Sequence, residues 1–139
     1  NPHAIGNDVL RGWQREKVIT WLDEIDDVRP IIAHSDVVVL PSYYREGIPR
    51  SLMEAAAMGK PLIATDTVGC REVVDHKENG FLVPIQDPKA LALAMIHLIQ
   101  DPTLMIRMGI AGRRKMEQHF DERFVINRSL ESYQLPCGD

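Results

Sequence analysis

The sequence has few cysteines, no long hydrophobic run and no excess of basic residues, and each lack excludes a class of protein. Cys70 and Cys137 are its two cysteines; they are too few for a disulfide framework and lack metal-ligand spacing, so a reducing cytoplasm fits best. The five histidines show no metal spacing either, and we predict no metal site. No apolar run approaches the roughly 20 residues that span a bilayer. A net charge of −4 gives no chain-wide attraction for nucleic acid or an anionic membrane.

The chain also begins without an initiator methionine or a signal peptide, since its first residues are Asn1-Pro2-His3-Ala4. We therefore expect it to be a piece of a longer protein. With 139 residues and 45% hydrophobic content, it is long enough for one compact core, which predicts a single domain over residues 1–139. The tail, residues 134–139, is expected to be frayed.

Four apolar runs rich in β-branched residues predict strands at residues 18–22, 36–40, 61–65 and 80–83. Two of them are continuously apolar instead of alternating, as in strands that helices cover on both faces. Helix-like stretches lie between or after the runs: residues 50–58, stopped by Gly59; a helix capped by Asp87 that ends near residue 101; and residues 103–120. The sequence therefore predicts an α/β fold with a parallel sheet.

Residues 41–54 form a strand end, a loop and a helix start, which is where open parallel sheets bind ligands. Unpaired amides at the helix N-terminus, around Arg50, Ser51 and Leu52, are suited to a phosphate. Glu46 and Glu54 are suited to sugar hydroxyls. A pair of exposed surface carboxylates is the commoner alternative at this spacing. The alanines at 55–57 favour the functional interpretation, because a close-packed helix would leave Glu54 partly buried and in need of a partner.

The pattern Glu46-x7-Glu54, preceded by the strand at 36–42 and followed by residues 58–66, resembles the signature of glycosyltransferase family 4. Residues 66–74 and 78–84 fall where that family has its next loop, helix and strand. The resemblance implies the C-terminal half of a GT-B fold, with a Rossmann-like parallel sheet and flanking helices. It also implies a retaining enzyme that transfers a hexosyl or N-acetylhexosaminyl group from a nucleotide sugar, UDP-linked, without metal or cofactor; the absence of an Asp-x-Asp motif agrees.

The resemblance also implies partners and residue roles. The acceptor would be a polysaccharide or a lipid-linked glycan held by an N-terminal domain, at the inner face of the cytoplasmic membrane, with peripheral membrane contact and no nucleic-acid partner. Glu54 would bind the ribose. Glu46 would be the catalytic carboxylate at the transferred sugar. The other implied contacts are the sugar and diphosphate amides of Gly47, Ile48, Arg50, Ser51 and Leu52, and the nucleobase-flanking residues Leu22, Asp23 and Ile25.

The sequence departs from that family in three places. Asp23 stands where the family usually has glycine, and Pro49 has no N–H to donate to the sugar. The basic residues that neutralise the diphosphate, and the first two strands of the family's 3-2-1-4-5-6 sheet, would precede residue 1, so we expect this chain alone to be inactive. In the absence of those strands, we expect the strand at 18–22 to pair directly with the strand at 36–40; the alternatives are that another chain covers the exposed edge or that the edge stays open.

Alternatives remain for the function and for several residues. A nucleotide-sugar epimerase of the same shape and a non-catalytic nucleotide-binding module are the rival functions. His34 is interpreted as a helix-end residue in preference to a general base, and Arg71-Glu72 equally as capping or donor contact. The basic run 113–115 is interpreted as a solvated face in preference to a lipid contact. Four methionines are assigned to the core: Met95, Met105, Met108 and Met116.

Overall fold

The computed structural model describes residues 4–44 and 47–120 of the chain. Within them, strands and helices alternate from the first strand to the helix after the third strand, and one more helix follows. The elements in chain order are α1 (Asn7–Arg15), α2 (Arg29–His34), β1 (Val38–Leu40), α3 (Arg50–Ala57), β2 (Leu62–Thr65), α4 (Val68–Val73), β3 (Gly80–Val83), α5 (Pro88–Gln100) and α6 (Pro102–His119). The predicted frayed tail and Cys137 lie outside the described residues.

The three strands form one parallel sheet in the order β1-β2-β3. Val38 pairs with Leu62, and Leu62 pairs with Gly80. The central strand β2 is buried at all four of its residues, as expected for a strand with helices on both faces. The prediction of a parallel α/β sheet with flanking helices is confirmed. By the resemblance, the runs at 36–40, 61–65 and 80–83 correspond to the last three strands of the 3-2-1-4-5-6 sheet, and the observed order β1-β2-β3 agrees with this.

The predicted strand at residues 18–22 is wrong. These residues form no strand in the structure, and among the described residues β1 pairs with β2 alone. Val18 is 67% exposed, and the Trp21 amide donates to the Gln14 side chain instead of to a neighbouring strand. A β-branched run forms a strand only when another strand pairs with it, and none of the strands that the structure describes pairs with this segment. The expected direct pairing with residues 36–40 is therefore also wrong.

The hydrophobic core lies on both faces of the sheet. On one face, α3, α4 and the end of α6 pack against β2 through Leu52, Val73 and Met116. On the other face, α5 and the start of α6 pack against β2 and β3 through Leu98 and Met108. Met105 also packs against the core, but Met95 is 39% exposed on α5, so its assignment to the core was wrong.

The helix ends follow the predicted local chemistry. Helix α3 ends at Ala57, and Gly59 beyond it has φ +72°, a left-handed conformation that favours glycine. Asp87 caps α5 by accepting a hydrogen bond from the Ala90 amide. His34 is the last residue of α2, as predicted, with its Nδ1 2.7 Å from the Pro30 carbonyl oxygen. None of the helices described is long and apolar enough to cross a membrane.

The basic run on α6 is largely paired with acidic side chains. Arg113 lies 3.0 Å from Glu117 one turn later, and Lys115 lies 2.9 Å from Asp75. Arg113 is exposed, whereas the Lys115 side chain is only 16% exposed. These pairs favour the interpretation of this run as a solvated face with one structural ion pair.

Candidate nucleotide-sugar site at the carboxyl edge of the sheet

The carboxyl ends of the three strands lie side by side, and the loops that follow them line hollows in the protein surface. The Thr65 hydroxyl, at the end of β2, donates to the Ser42 carbonyl beyond β1 and so ties these two strand ends together. Pro41, Thr65 and Val83 line a small hollow at this edge. The edge predicted to bind the ligand is thus assembled from consecutive strand ends.

Helix α3 begins at this edge without a capping side chain. Its N-cap, Pro49, is buried in extended conformation and makes no side-chain cap hydrogen bond. The amides of the first turn are therefore available to a ligand or to water. Gly47, Ile48, Arg50 and Ser51 are exposed there, whereas the Leu52 side chain is fully buried, so Leu52 can offer a ligand only its amide. Glu46 lies outside the described residues.

Glu54 is half-buried on α3, as its position before three alanines predicts. Its side chain is 40% exposed and lies 3.8 Å from the Arg50 guanidinium one turn earlier. This separation is long for an ion pair, and the Arg50 side chain is 90% exposed; the contact contributes little to stability. The Glu54 carboxylate therefore retains capacity to accept hydrogen bonds from a ligand.

Glu54 lines a hollow of about 470 Å³ between the second half of α3 and the segment that leads into α2. On the opposite side of this hollow, Asp27 and Arg29 form an ion pair of 2.8 Å. Hydrogen bonds from the Arg29 side chain and amide hold the pKa of the Asp27 carboxyl below its ordinary value. Sequence reasoning missed Asp26, Asp27 and Arg29 as site residues, because an acidic run before a helix is commonplace on surfaces.

The three residues predicted to flank the nucleobase precede this hollow in the chain but do not line it. Leu22 is 46% exposed and Ile25 is half-buried. Asp23 has φ +60°, and its carboxylate accepts a hydrogen bond from the Glu24 amide. Aspartate is among the few residues that tolerate this left-handed conformation, so the departure from glycine at this position preserves a backbone geometry that glycine adopts freely.

A second, larger hollow, of about 590 Å³, lies at the same edge beside the loops after β1 and β2. Arg71 lines it and forms a 2.6 Å ion pair with Asp66. The hydrogen bond from Arg71 lowers the pKa of the Asp66 carboxyl. Arg71 does not cap the helix; that role belongs to the Thr67 side chain, which accepts from the Cys70 amide. Of the two roles left open for Arg71, capping is therefore excluded. Arg71 forms an ion pair at the hollow, where it could contact a ligand.

The fold and the site define an α/β protein of the Rossmann-like kind, with its ligand-binding loops at the carboxyl edge of a parallel sheet. Residues 3–101 match the model of the family described as "Glycosyl transferases group 1". The chain belongs to this family.

Similar proteins agree with this assignment. The chain is 37% identical over 112 residues to the putative colanic acid biosynthesis glycosyltransferase WcaL of Escherichia coli, covering 76% of the chain and 27% of that protein. It is 29% identical over 115 residues to the N,N'-diacetylbacillosaminyl-diphospho-undecaprenol alpha-1,3-N-acetylgalactosaminyltransferase of Campylobacter jejuni, covering 83% and 30%.

Among solved structures, Alr3699/HepE of Anabaena in complex with UDP superposes with a TM-score of 0.83 at 25% identity, over 91% of this chain and 35% of that one. The chain thus spans less than a third of each of the two curated relatives and about a third of the solved enzyme. The resemblance to glycosyltransferases is confirmed at the level of this group 1 family, and the GT-B type of α/β fold is confirmed as well.

Proposed function

We propose that this chain is the donor-binding part of a retaining glycosyltransferase that transfers a hexosyl or N-acetylhexosaminyl group from a UDP-sugar to a polysaccharide or lipid-linked acceptor. The observation that carries the proposal is the half-buried Glu54 side chain, which lies one helical turn beyond the uncapped start of α3 and lines a hollow beside that helix. Two solved structures of Alr3699/HepE of Anabaena, one with UDP and one with UDP-glucose, superpose on 91% of the chain. The Campylobacter relative is named for a lipid-linked acceptor, which supports a reaction at the inner membrane face with peripheral contact.

In this proposal, catalysis is mainly a matter of position and charge. Glu54 accepts hydrogen bonds from the ribose hydroxyls, and the amides of Arg50, Ser51 and Leu52 stabilise the negative charge that develops on the leaving diphosphate. Gly47 and Ile48 offer amides to the transferred sugar, together with the carboxylate of Glu46. A second domain holds the acceptor hydroxyl near the reacting carbon, and the protein uses neither a cofactor nor a metal.

We expect Glu54→Ala to weaken UDP binding by about 1.5–3 kcal/mol for each charge-assisted hydrogen bond that is lost. The measurement is a calorimetric titration of UDP into the full-length enzyme. Glu46→Ala is expected to depress turnover more than UDP affinity, because that carboxylate would face the sugar and not the nucleoside.

The matched control for this prediction is Glu117→Ala. Glu117 is also the second residue of an Arg-Glu pair one helical turn apart, with Arg113, but it lies on the exposed face of α6. Its loss removes a comparable charge without touching the hollow, so UDP affinity should stay at the wild-type value. Equal UDP affinities in the Glu54 variant and the wild type would contradict the ribose assignment.

We also expect the isolated 139-residue chain to turn over no nucleotide sugar. The resemblance assigns the acceptor and the neutralisation of the diphosphate to an N-terminal domain and to basic residues outside positions 1–139, and catalysis by positioning requires both. The check is to incubate the purified chain with a panel of UDP- and GDP-sugars and to assay the release of free UDP or GDP. Release above a protein-free blank would show that the chain is catalytically self-sufficient.

A further inference from the structure

The larger hollow at the carboxyl edge has an aromatic wall made by two consecutive residues. The rings of Tyr43 and Tyr44 stack with centroids 4.4 Å apart and planes inclined by 26°. Their hydroxyls are joined by a hydrogen bond of 3.2 Å, in which Tyr43 donates. Because stack and hydrogen bond fix the two rings together, they form one platform that loses little conformational freedom when a ligand settles on it.

The platform is partly exposed to solvent. Tyr43 is 45% and Tyr44 40% exposed. The hydrogen bond to Tyr44 raises the pKa of Tyr43 above its ordinary value. A neutral aromatic face attracts weakly polarised C–H groups through its negative quadrupole.

Another wall of the hollow is polar and electrically balanced. Asp66 and Arg71 form their ion pair there through one carboxylate oxygen and the Nε atom. The other carboxylate oxygen and the terminal guanidinium nitrogens make no hydrogen bond to any residue of 4–44 or 47–120 that the structure describes. This wall therefore offers both acceptors and donors, and its net charge is near zero.

A pyranose ring has the matching properties, with one face of C–H groups and a rim of hydroxyls that both donate and accept. A phosphate would meet the Asp66 carboxylate, which already compensates the charge of Arg71. The nucleoside has a separate place, because the hollow beside Glu54 shares no lining residue with this one. The volume of about 590 Å³ lies within the range typical of ligand pockets.

We infer that the hollow between the Tyr43–Tyr44 platform and the Asp66–Arg71 pair is a carbohydrate subsite that holds one pyranose ring. The inference rests on the proposed function and extends it to recognition of the sugar. The ring belongs either to the acceptor glycan or to the sugar of the donor. Tyr44 and Arg71 are then specificity-determining residues that both line this subsite.

The test is saturation-transfer NMR on the 139-residue chain, with two sets of probes. The first set is the methyl α-glycosides of glucose, galactose, N-acetylglucosamine and N-acetylgalactosamine; the second is UDP and the matching UDP-sugars. We expect at least one methyl glycoside or UDP-sugar to show saturated ring protons. Tyr44→Ala should weaken that binding roughly fivefold, an aromatic contribution of ordinary size, whereas Tyr44→Phe should retain it.

The control is Trp13→Ala, which removes another exposed aromatic side chain, on α1, that does not line the hollow. Circular dichroism of each variant checks that the exposed substitutions leave the fold intact. If methyl glycosides show saturated ring protons in the presence of UDP, and this response is lost in Tyr44→Ala, the subsite belongs to the acceptor. Saturation confined to the sugar protons of UDP-sugars assigns it to the donor.

Two negative results are distinguishable. If Tyr44→Ala leaves every sugar response unchanged, or if no sugar responds while UDP does, the carbohydrate subsite is overturned and the proposed function stands. If sugars respond through Tyr44 but UDP binds neither the wild type nor the full-length enzyme, the nucleotide-dependent function fails and the subsite stands. Saturation of uridine protons that depends on Tyr44 would overturn the subsite as well, since the platform would then hold the base.

Discussion

Gly109→Ala is expected to lower the free energy of unfolding by about 2–3 kcal/mol, a large effect for one added methyl group. Gly109 lies on α6, where that helix crosses the turn after α3. A Cβ at this position would overlap the Gly59 carbonyl oxygen and lie 2.9 Å from the Gly59 carbonyl carbon. The obstacle is backbone in a left-handed turn, with Gly59 at φ +72°, so neither side can move aside cheaply.

The size of this effect is a balance of two opposing terms. Alanine is the better helix former by about 1 kcal/mol, which offsets part of the steric cost. Gly112→Ala isolates that gain, because a Cβ there would lie 3.6 Å from the Cβ atoms of Ala56 and Asn79, an ordinary contact. Urea denaturation followed by circular dichroism should show Gly112→Ala at or above the wild-type midpoint and Gly109→Ala well below it. Coincident midpoints for the two variants would mean that α6 does not approach the turn this closely.

Most of the sheet and its helices were predictable because their determinants are local. The strand at 80–83 and the helices after Pro49 and Asp87 were placed within about a residue or two of their bounds. A continuous apolar run identifies a strand covered on both faces, and a proline, an aspartate cap or a glycine stop marks a helix end. These signals need no knowledge of distant parts of the chain.

The wrong predictions concern features that depend on contacts with residues distant in the sequence. Residues 18–22 have the composition of a strand, but a strand also needs a neighbour, which composition does not reveal. Met95 has helical spacing with Leu91 and Leu98, yet it lies at the border of the apolar face and remains 39% exposed. Periodicity gives the direction of a helix face but not its width.

The candidate site was predictable in part for the same reason. The half-burial of Glu54 follows from the small residues beside it, and the structure confirms it. The ion pair of Asp27 and Arg29 opposite Glu54 and the platform of Tyr43 and Tyr44 became visible only in three dimensions. Each joins side chains whose sequence context is ordinary, so only their arrangement around a hollow distinguishes them. The role of Glu46 remains a prediction from the sequence.

Asn79 explains how the turn before β3 is held, and its loss should be the second large effect on stability. Its side chain is buried, with 1% of its surface exposed. The Nδ2 atom donates to the Val73 carbonyl at 2.9 Å, and Oδ1 accepts from the Asp75 amide at 2.8 Å. The amide side chain thus connects the end of α4 to the start of β3 and satisfies two backbone groups at once.

Asn79→Ala is therefore expected to destabilise the protein by roughly 2–4 kcal/mol, because it leaves a buried carbonyl and a partly buried amide without their partners. Glu78→Ala is the matched control, since Glu78 occupies the same turn but has an exposed side chain. Thermal unfolding should show a clearly lower Tm for Asn79→Ala and little change for Glu78→Ala. In a hydrogen-exchange experiment, the Asp75 amide of the Asn79 variant should exchange faster than its global unfolding alone explains. The β2 amides should still exchange at the rate that global unfolding sets. If the two variants unfold at the same temperature, or if Asp75 keeps its protection without Asn79, the turn is held by other contacts and the connecting role of this side chain is wrong.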